Sequence, residues 1–227
     1  MSELKKFQVQ TARPLPVIVL TDTSGSMSVD GKIEAVNKAL KDMLSTFSEE
    51  SRLRAEIQLS IITFGGVANL HFPLTAAYKV ESITPLLASG GTPMGAAFKM
   101  AAEMIEDKEV ISSRAYKPVV VLVSDGYPTD DITGSLKQLM NGERSSKVTR
   151  FAMGIGADAD LSLLNDFAND LEAPVFSAEN ARDIHRFFKA VTMSVTTRSR
   201  STTPNQSTPL ELPKVSDSDD EFEEIGF

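Results

Sequence analysis

Two apolar runs, residues 15–20 (LPVIVL) and 119–123 (VVVLV), each lead into a carboxylate, Asp22 after the first and Asp125 after the second. Runs of this length, rich in β-branched residues and without polar alternation, predict strands covered on both faces. A strand of that kind, feeding a polar turn and then a helix, belongs to an open α/β sheet, and such sheets present ligand groups at their carboxyl edge. The first turn carries Asp22, Ser24 and Ser26 on alternate residues, and these are hard oxygen donors of the kind Mg²⁺ prefers.

The remaining segments fit the same plan. Residues 31–47 place Ile33, Val36, Leu40, Met43, Leu44 and Phe47 on one helical face. Residues 55–64 alternate as a strand, Gly65-Gly66 is a turn, and residues 67–72 predict a short antiparallel edge strand that Pro73 closes. A short helix is expected within 80–87. In Ser89-Gly90-Gly91-Thr92-Pro93 two glycines relax the backbone and proline suits a first helical turn, which puts Thr92 beside a helix start. Further helices are expected up to Ile105, after Asp130 and after Asp160. Strands are expected at 148–155 and 174–177, and a closing helix at 181–195. The alternation predicts a Rossmann-like, doubly wound, mostly parallel α/β sheet with one antiparallel edge strand and helices on both faces.

Residues 1–12 read as an N-terminal extension, 13–195 as the domain, and 196–227 as an acidic tail. In the tail Arg198, Arg200 and Lys214 are outweighed by Glu211, Asp217, Asp219, Asp220, Glu221, Glu223 and Glu224. Such a segment buries too little apolar surface to offset its ordering entropy, so disorder is expected from Thr196 onward. Thr203-Pro204, Thr208-Pro209, Ser216 and Ser218 read as kinase-accessible positions, and Phe222, Ile225 and Phe227 as a short docking motif.

Composition removes several function classes. The chain has no cysteine and only two histidines, His71 and His185, which argues against disulfides, thiolate chemistry and a histidine-rich zinc site. A formal net charge of −8 argues against nucleic-acid binding. The opening MSELKKFQVQTARPLP lacks the apolar core of a signal peptide, and no apolar run is long enough to span a bilayer, so the expectation is a cytoplasmic protein with no membrane contact.

Asp22-x-Ser24-x-Ser26, Thr92 within GGTP and Asp125 within SDG together resemble the metal-ion-dependent adhesion site of von Willebrand factor A domains. Over residues 13–195 the order and spacing of elements resemble that fold too. LPVIVLTDTSGSM, SGGTPMGAAF and VLVSDGYPTD are similar to the TerY-like A-domain proteins associated with tellurium resistance. The resemblance implies direct metal contacts by Ser24, Ser26 and Thr92, with Asp22 and Asp125 acting largely through bound water. It implies Mg²⁺ as the ion, with Mn²⁺ or Ca²⁺ as alternatives, and a protein partner that offers an Asp or Glu to the metal. It also implies a stress or tellurium-resistance signalling role with a kinase or phosphatase as partner. Movement of the Thr92 loop would then couple to the last helix.

Enzymatic readings fit less well. An aspartic protease needs a second matching Asp loop, which is absent. An aspartyl phosphohydrolase using Asp22 would place its general acid two residues on, where Ser24 stands. Serine hydrolysis needs a base, and neither histidine falls beside the motif. Gly154-Ile155-Gly156 lacks the third glycine of a nucleotide fingerprint and reads as a strand-end turn. Asp130-Asp131 reads as capping for the next helix rather than as a second metal site. The expectation is a non-enzymatic recognition module; the alternatives are the Asp22 phosphohydrolase and a scaffold subunit of an ATP-driven assembly.

Overall fold

The computed structural model describes residues 12–50, 52–168, 175–206, 210 and 212. Six strands form one sheet: β1 (Arg13–Asp22), β2 (Ala55–Gly65), β3 (Val67–Ala76), β4 (Val119–Ser124), β5 (Thr149–Ile155) and β6 (Phe176–Ala178). Their order is β3-β2-β1-β4-β5-β6, and every pair is parallel except β2 with β3. Among the described residues five α-helices accompany them: α1 (Lys32–Glu49), α2 (Met94–Glu106), α3 (Thr133–Asn141), α4 (Leu161–Phe167) and α5 (Ala181–Arg200). This is the doubly wound, mostly parallel sheet expected from the sequence.

The apolar runs are continuous because each strand serves two cores. Val17 and Val19 of β1, with Val121 and Val123 of β4, face a core completed by α1 and α5. Ile18 and Leu20, with Val120 and Leu122, face the other core, built on α2 and α4. From β1 the chain first proceeds to β2 on one side, and β4 later pairs on the other. The carboxyl ends of β1 and β4 therefore flank the topological switch point, where open α/β sheets bind ligands.

Several expected boundaries are corrected. β3 runs through Pro73 to Ala76, because the edge strand tolerates a missing N–H and a register shift opposite Ser60 accommodates the ring. There the Ser60 hydroxyl donates to the Phe72 carbonyl at 2.9 Å. Residues 80–87 hold no helix. Instead the Asn37 side chain clamps the Leu86 backbone, donating to its carbonyl at 3.0 Å and accepting its N–H at 2.8 Å. The last strand is Phe176–Ala178, while Pro174 lies outside the described residues.

The closing helix passes the compositional break at Thr196 and ends at Arg200. Its polar residues mislead because Arg198, 1% exposed, satisfies backbone carbonyls instead of water. Its Nε donates to the Pro204 carbonyl at 2.9 Å and Nη2 to that of Lys117 at 2.7 Å, which ties residues 201–206 to the domain. Burial lowers the Arg198 pKa to about 10. Thr208-Pro209, Ser216, Ser218 and the terminal apolar residues lie outside the described residues, whereas Thr203-Pro204 is described. Among the described residues no helix is long and apolar enough to cross a membrane.

Candidate metal centre

The switch point joins four of the five expected residues through hydrogen bonds. β1 delivers Asp22 fully buried at its last position, where Oδ1 accepts the Ser24 N–H at 2.8 Å. The turn this creates aims the Ser24 hydroxyl toward that of Ser26, 3.0 Å away. Ser26 Oγ then donates to Asp125 Oδ1 at 2.7 Å, across 99 residues of sequence. Ser24 and Asp125 are buried while Ser26 is exposed, so the cluster opens to solvent on the Ser26 side.

Thr92 arrives from a third segment and is positioned by backbone. The Gly25 N–H donates to the Gly90 carbonyl at 2.9 Å, the Ser89 N–H to that of Thr23 at 2.7 Å, and the Gly66 N–H to that of Gly91 at 2.8 Å. Thr92 is 6% exposed, and among the described residues its hydroxyl makes no hydrogen bond to the other four. The structure thus links Asp22, Ser24, Ser26 and Asp125 directly, and holds the loop bearing Thr92 against the same turn.

The sequence model of the von Willebrand factor type A domain matches residues 17–190, most of the chain. The chain belongs to the von Willebrand factor type A domain family. The human collagen alpha-1(XXI) chain is 27% identical over 161 residues, covering 69% of this chain and 16% of that protein. The curated relatives it matches are far longer, this chain spanning 16% to 24% of their lengths. A von Willebrand factor type A structure from Catenulispora acidiphila superposes with a TM-score of 0.65 at 20% identity, over 81% of this chain and 43% of that one. Proximal thread matrix protein 1 of the mussel byssus, solved with a zinc-occupied metal-ion-dependent adhesion site, gives 0.62 at 19% identity, over 80% and 45%.

Within this A domain, several functional neighbours escaped sequence reading. Ser124 Oγ donates to Asp22 Oδ2 at 2.6 Å, so both carboxylate oxygens of Asp22 are engaged. Only its place directly after the second apolar run hinted at this, since parallel pairing of β1 with β4 brings it beside Asp22. Burial raises the Asp22 pKa. The hydrogen bonds from Ser124 and Ser24 oppose that rise, and the neighbouring Asp125 charge adds to it. Lys32, from the first turn of α1, places Nζ 2.8 Å from Asp125 Oδ2. Thr129 Oγ1 accepts the Thr92 N–H at 3.0 Å, and its own N–H donates to the Thr92 carbonyl at 2.9 Å.

The acidic pair beyond it divides its work. Asp131 caps the following helix as expected, accepting the Thr133 N–H at 2.8 Å. Asp130 instead caps α2, taking the Gly95 and Ala96 N–H groups at 2.9 Å each. A Cβ on Gly95 would lie 2.6 Å from the Asp131 carbonyl, so this close approach requires glycine. The 125–131 loop therefore fixes both Thr92 and the helix that follows it.

The donor set fits a divalent cation. An octahedron with metal–oxygen distances of about 2.1 Å has neighbouring oxygens about 3.0 Å apart. Here Ser24 Oγ and Ser26 Oγ are 3.0 Å apart, the spacing of two neighbouring ligands, and Ser26 Oγ also hydrogen-bonds Asp125 Oδ1 at 2.7 Å. Among the described residues no group of three or more His, Cys, Asp or Glu side chains could hold a metal, so any ion here depends on hydroxyls as well as carboxylates.

Lys32 is the cation that faces Asp125 in the protein alone. The Asp125 carboxylate is fully buried and the Lys32 side chain is 17% exposed. Removing one partner of a buried pair strands the other charge. Lys32→Met is therefore expected to lower stability in chelator by about 2 kcal/mol, less than a fully buried pair would cost. Saturating Mg²⁺ should restore most of the loss, and the variant's Mg²⁺ affinity should rise several-fold. Urea denaturation with and without Mg²⁺ checks this, and equal losses in both conditions would contradict it.

Proposed function

We propose that this A domain is a Mg²⁺-dependent protein-recognition module, with Asp22, Ser24, Ser26, Thr92 and Asp125 as its metal site. The observation that carries this reading is the pair of Ser24 and Ser26 hydroxyls at octahedral oxygen spacing, joined by hydrogen bonds to Asp22 and Asp125 on the switch point, with its open side toward solvent. Bound Mg²⁺ supplies an electrophilic position that an Asp or Glu of a partner protein fills. Ser24, Ser26 and Thr92 contribute neutral oxygens, and Asp22 and Asp125 contribute the charge, largely through water. With no more than two carboxylates, this donor set leaves a divalent ion unsaturated in charge toward a third.

The surroundings favour a protein over a small ligand. Val29, Val67 and Tyr127 are exposed, and they follow respectively the Ser24–Ser26 turn, the Gly65-Gly66 turn that holds the Thr92 loop, and Asp125-Gly126. Apolar and aromatic groups around a polar centre suit a desolvated interface. Hydrolysis is disfavoured because no histidine is available as base. The His71 ring bonds the Thr84 carbonyl at the sheet edge, and His185 lies on α5, 3.7 Å from Asp42. The setting we propose is a cytoplasmic stress or metal-resistance signalling system, with a kinase or phosphatase as partner, as the TerY-like motifs suggest.

The test is capture of partner from cell extract by the immobilised protein in Mg²⁺ and in chelator. Partner retained in Mg²⁺ and released by chelator is expected. Retention unchanged in chelator would overturn the reading, and Mg²⁺-dependent phosphoester turnover lost in Asp22→Asn would favour the phosphohydrolase.

A further inference from the structure

The opposite, amino-terminal edge of the sheet carries a second concentration of charge, of the other sign. Arg13 at the start of β1, Arg54 just before β2 and Arg114 before β4 line a cavity of about 390 Å³. A neighbouring cavity of about 380 Å³ is lined by Lys117, Arg144 and Lys147, and Tyr116 lines both. The guanidinium of Arg13 lies 4.1 Å from the Tyr116 ring centre and donates to the Arg114 carbonyl at 2.6 Å. Arg54 donates to the Arg200 carbonyl. Among the described residues, Arg13, Arg54 and Arg114 have no acidic partner, and Arg144 Nη1 is buried without a hydrogen bond. The nearby carboxylates are already engaged, Glu50 by Arg200 and Glu106 by the Arg144 and Ser145 N–H groups. The three arginines of the first cavity, with no acidic partner among the described residues, attract an anionic ligand.

The chain itself brings one to this edge. After α5, Ser201 and Thr202 line the first cavity and Asn205 the second, and Asn205 Oδ1 accepts the Lys117 N–H at 2.8 Å. Leu210 is buried in the core under α1 and α5, which anchors the chain again. Beyond Leu212 come Asp217, Asp219, Asp220, Glu221, Glu223 and Glu224, with Phe222 among them. At about 3.4 Å per residue, Asp217 lies within ~17 Å of Leu212 and Glu224 within ~40 Å. A segment tethered that closely reaches an effective concentration on the order of millimolar without any partner. Leu53, 90% exposed on the cavity wall, offers an apolar contact for Phe222.

We propose that the basic cleft at the amino edge of the sheet is the docking site of the chain's own acidic segment, residues 217–224, bound within the same molecule. The docked segment would neutralise the basic pole and cover Leu53. This proposal is independent of the metal site.

The test uses the isotope-labelled chain of 227 residues. Its amide spectrum is compared with that of a variant in which the six acids of 217–224 become Asn or Gln. Differences are expected at residues 53–54, 114–117 and 147, unchanged on tenfold dilution. They should vanish in about 0.5 M NaCl, where screening acts over ~4 Å. In Arg54→Gln/Arg114→Gln, cleavage by a glutamate-specific protease within 221–224 should rise about tenfold, with an unchanged melting profile showing that the fold is kept. Identical cleft spectra in wild type and the neutralised variant would overturn the proposal. Differences that grow with protein concentration would overturn it in favour of a second copy. Saturable binding of inorganic phosphate to the cleft, equally strong with and without the acidic residues, would overturn it in favour of an external anion.

Discussion

Asp22→Ala is expected to abolish Mg²⁺ binding at millimolar metal while leaving the domain folded. The two outcomes separate because Asp22 is poorly placed for stability. Its carboxylate is fully buried beside Asp125, and burial raises its pKa, so its charge is held at a cost that the Ser24 and Ser124 hydrogen bonds only partly offset. Truncation loses those bonds but also removes the buried charge, and the net change is expected to be about 1 kcal/mol or less. For a divalent ion the loss is larger, since one of two carboxylates disappears from a site otherwise made of neutral hydroxyls. A weakening of at least about 100-fold, roughly 3 kcal/mol, is expected. Calorimetric titration with Mg²⁺ alongside thermal melts in chelator measures both. Wild-type affinity in the variant would contradict the assignment, and global unfolding in chelator would show that Asp22 is a structural residue.

Gly90→Ala is expected to damage both fold and site. Gly90 has φ +74°, and a Cβ there would lie 2.5 Å from Gly66 Cα and 2.7 Å from Gly66 N. Both obstacles are backbone and cannot swing aside. Relief requires parting the Thr92 loop from the Gly66 turn, which breaks the Gly66 N–H bond to Gly91 and strains the Gly25 N–H bond to Gly90 itself. With the left-handed backbone penalty added, the expected loss is about 3 kcal/mol. Because Thr92 is two residues away, Mg²⁺ affinity should fall about tenfold as well. Gly126→Ala is the control. It adjoins Asp125, yet a Cβ there meets nothing within 4 Å, and a change under about 1 kcal/mol is expected. Equal stability of the two variants, read by urea denaturation, would contradict the packing described here.

What the sequence disclosed follows from what is local in it. The two apolar runs marked the central strands, and the first polar residues after them marked the switch point, because burial on both faces and strand termination are written into consecutive residues. What it withheld is made by partners far apart in the chain. Lys32 reads as an ordinary helix-start lysine until β4 sets Asp125 beside it. Asp130 resembles a cap for the nearest helix, yet serves α2, thirty-five residues earlier in the chain. Pro73 signals a strand end only if the strand has neighbours on both sides, and β3 is an edge. Arg198 and the serines and threonines around it read as solvated tail, because composition cannot show a guanidinium spending its donors on the carbonyls of Lys117 and Pro204.

In the proposed site, five oxygen-bearing side chains from three segments hold one divalent cation. The most direct test is a titration of the isotope-labelled protein with Mn²⁺, whose unpaired electrons broaden nearby amide signals. Saturation at one ion per chain is expected, with selective loss of the signals of residues 22–26, 91–93 and 125–126 and their recovery when excess Mg²⁺ displaces the Mn²⁺. Broadening that never saturates, or that centres on another face while residues 22–26 stay sharp, would contradict it.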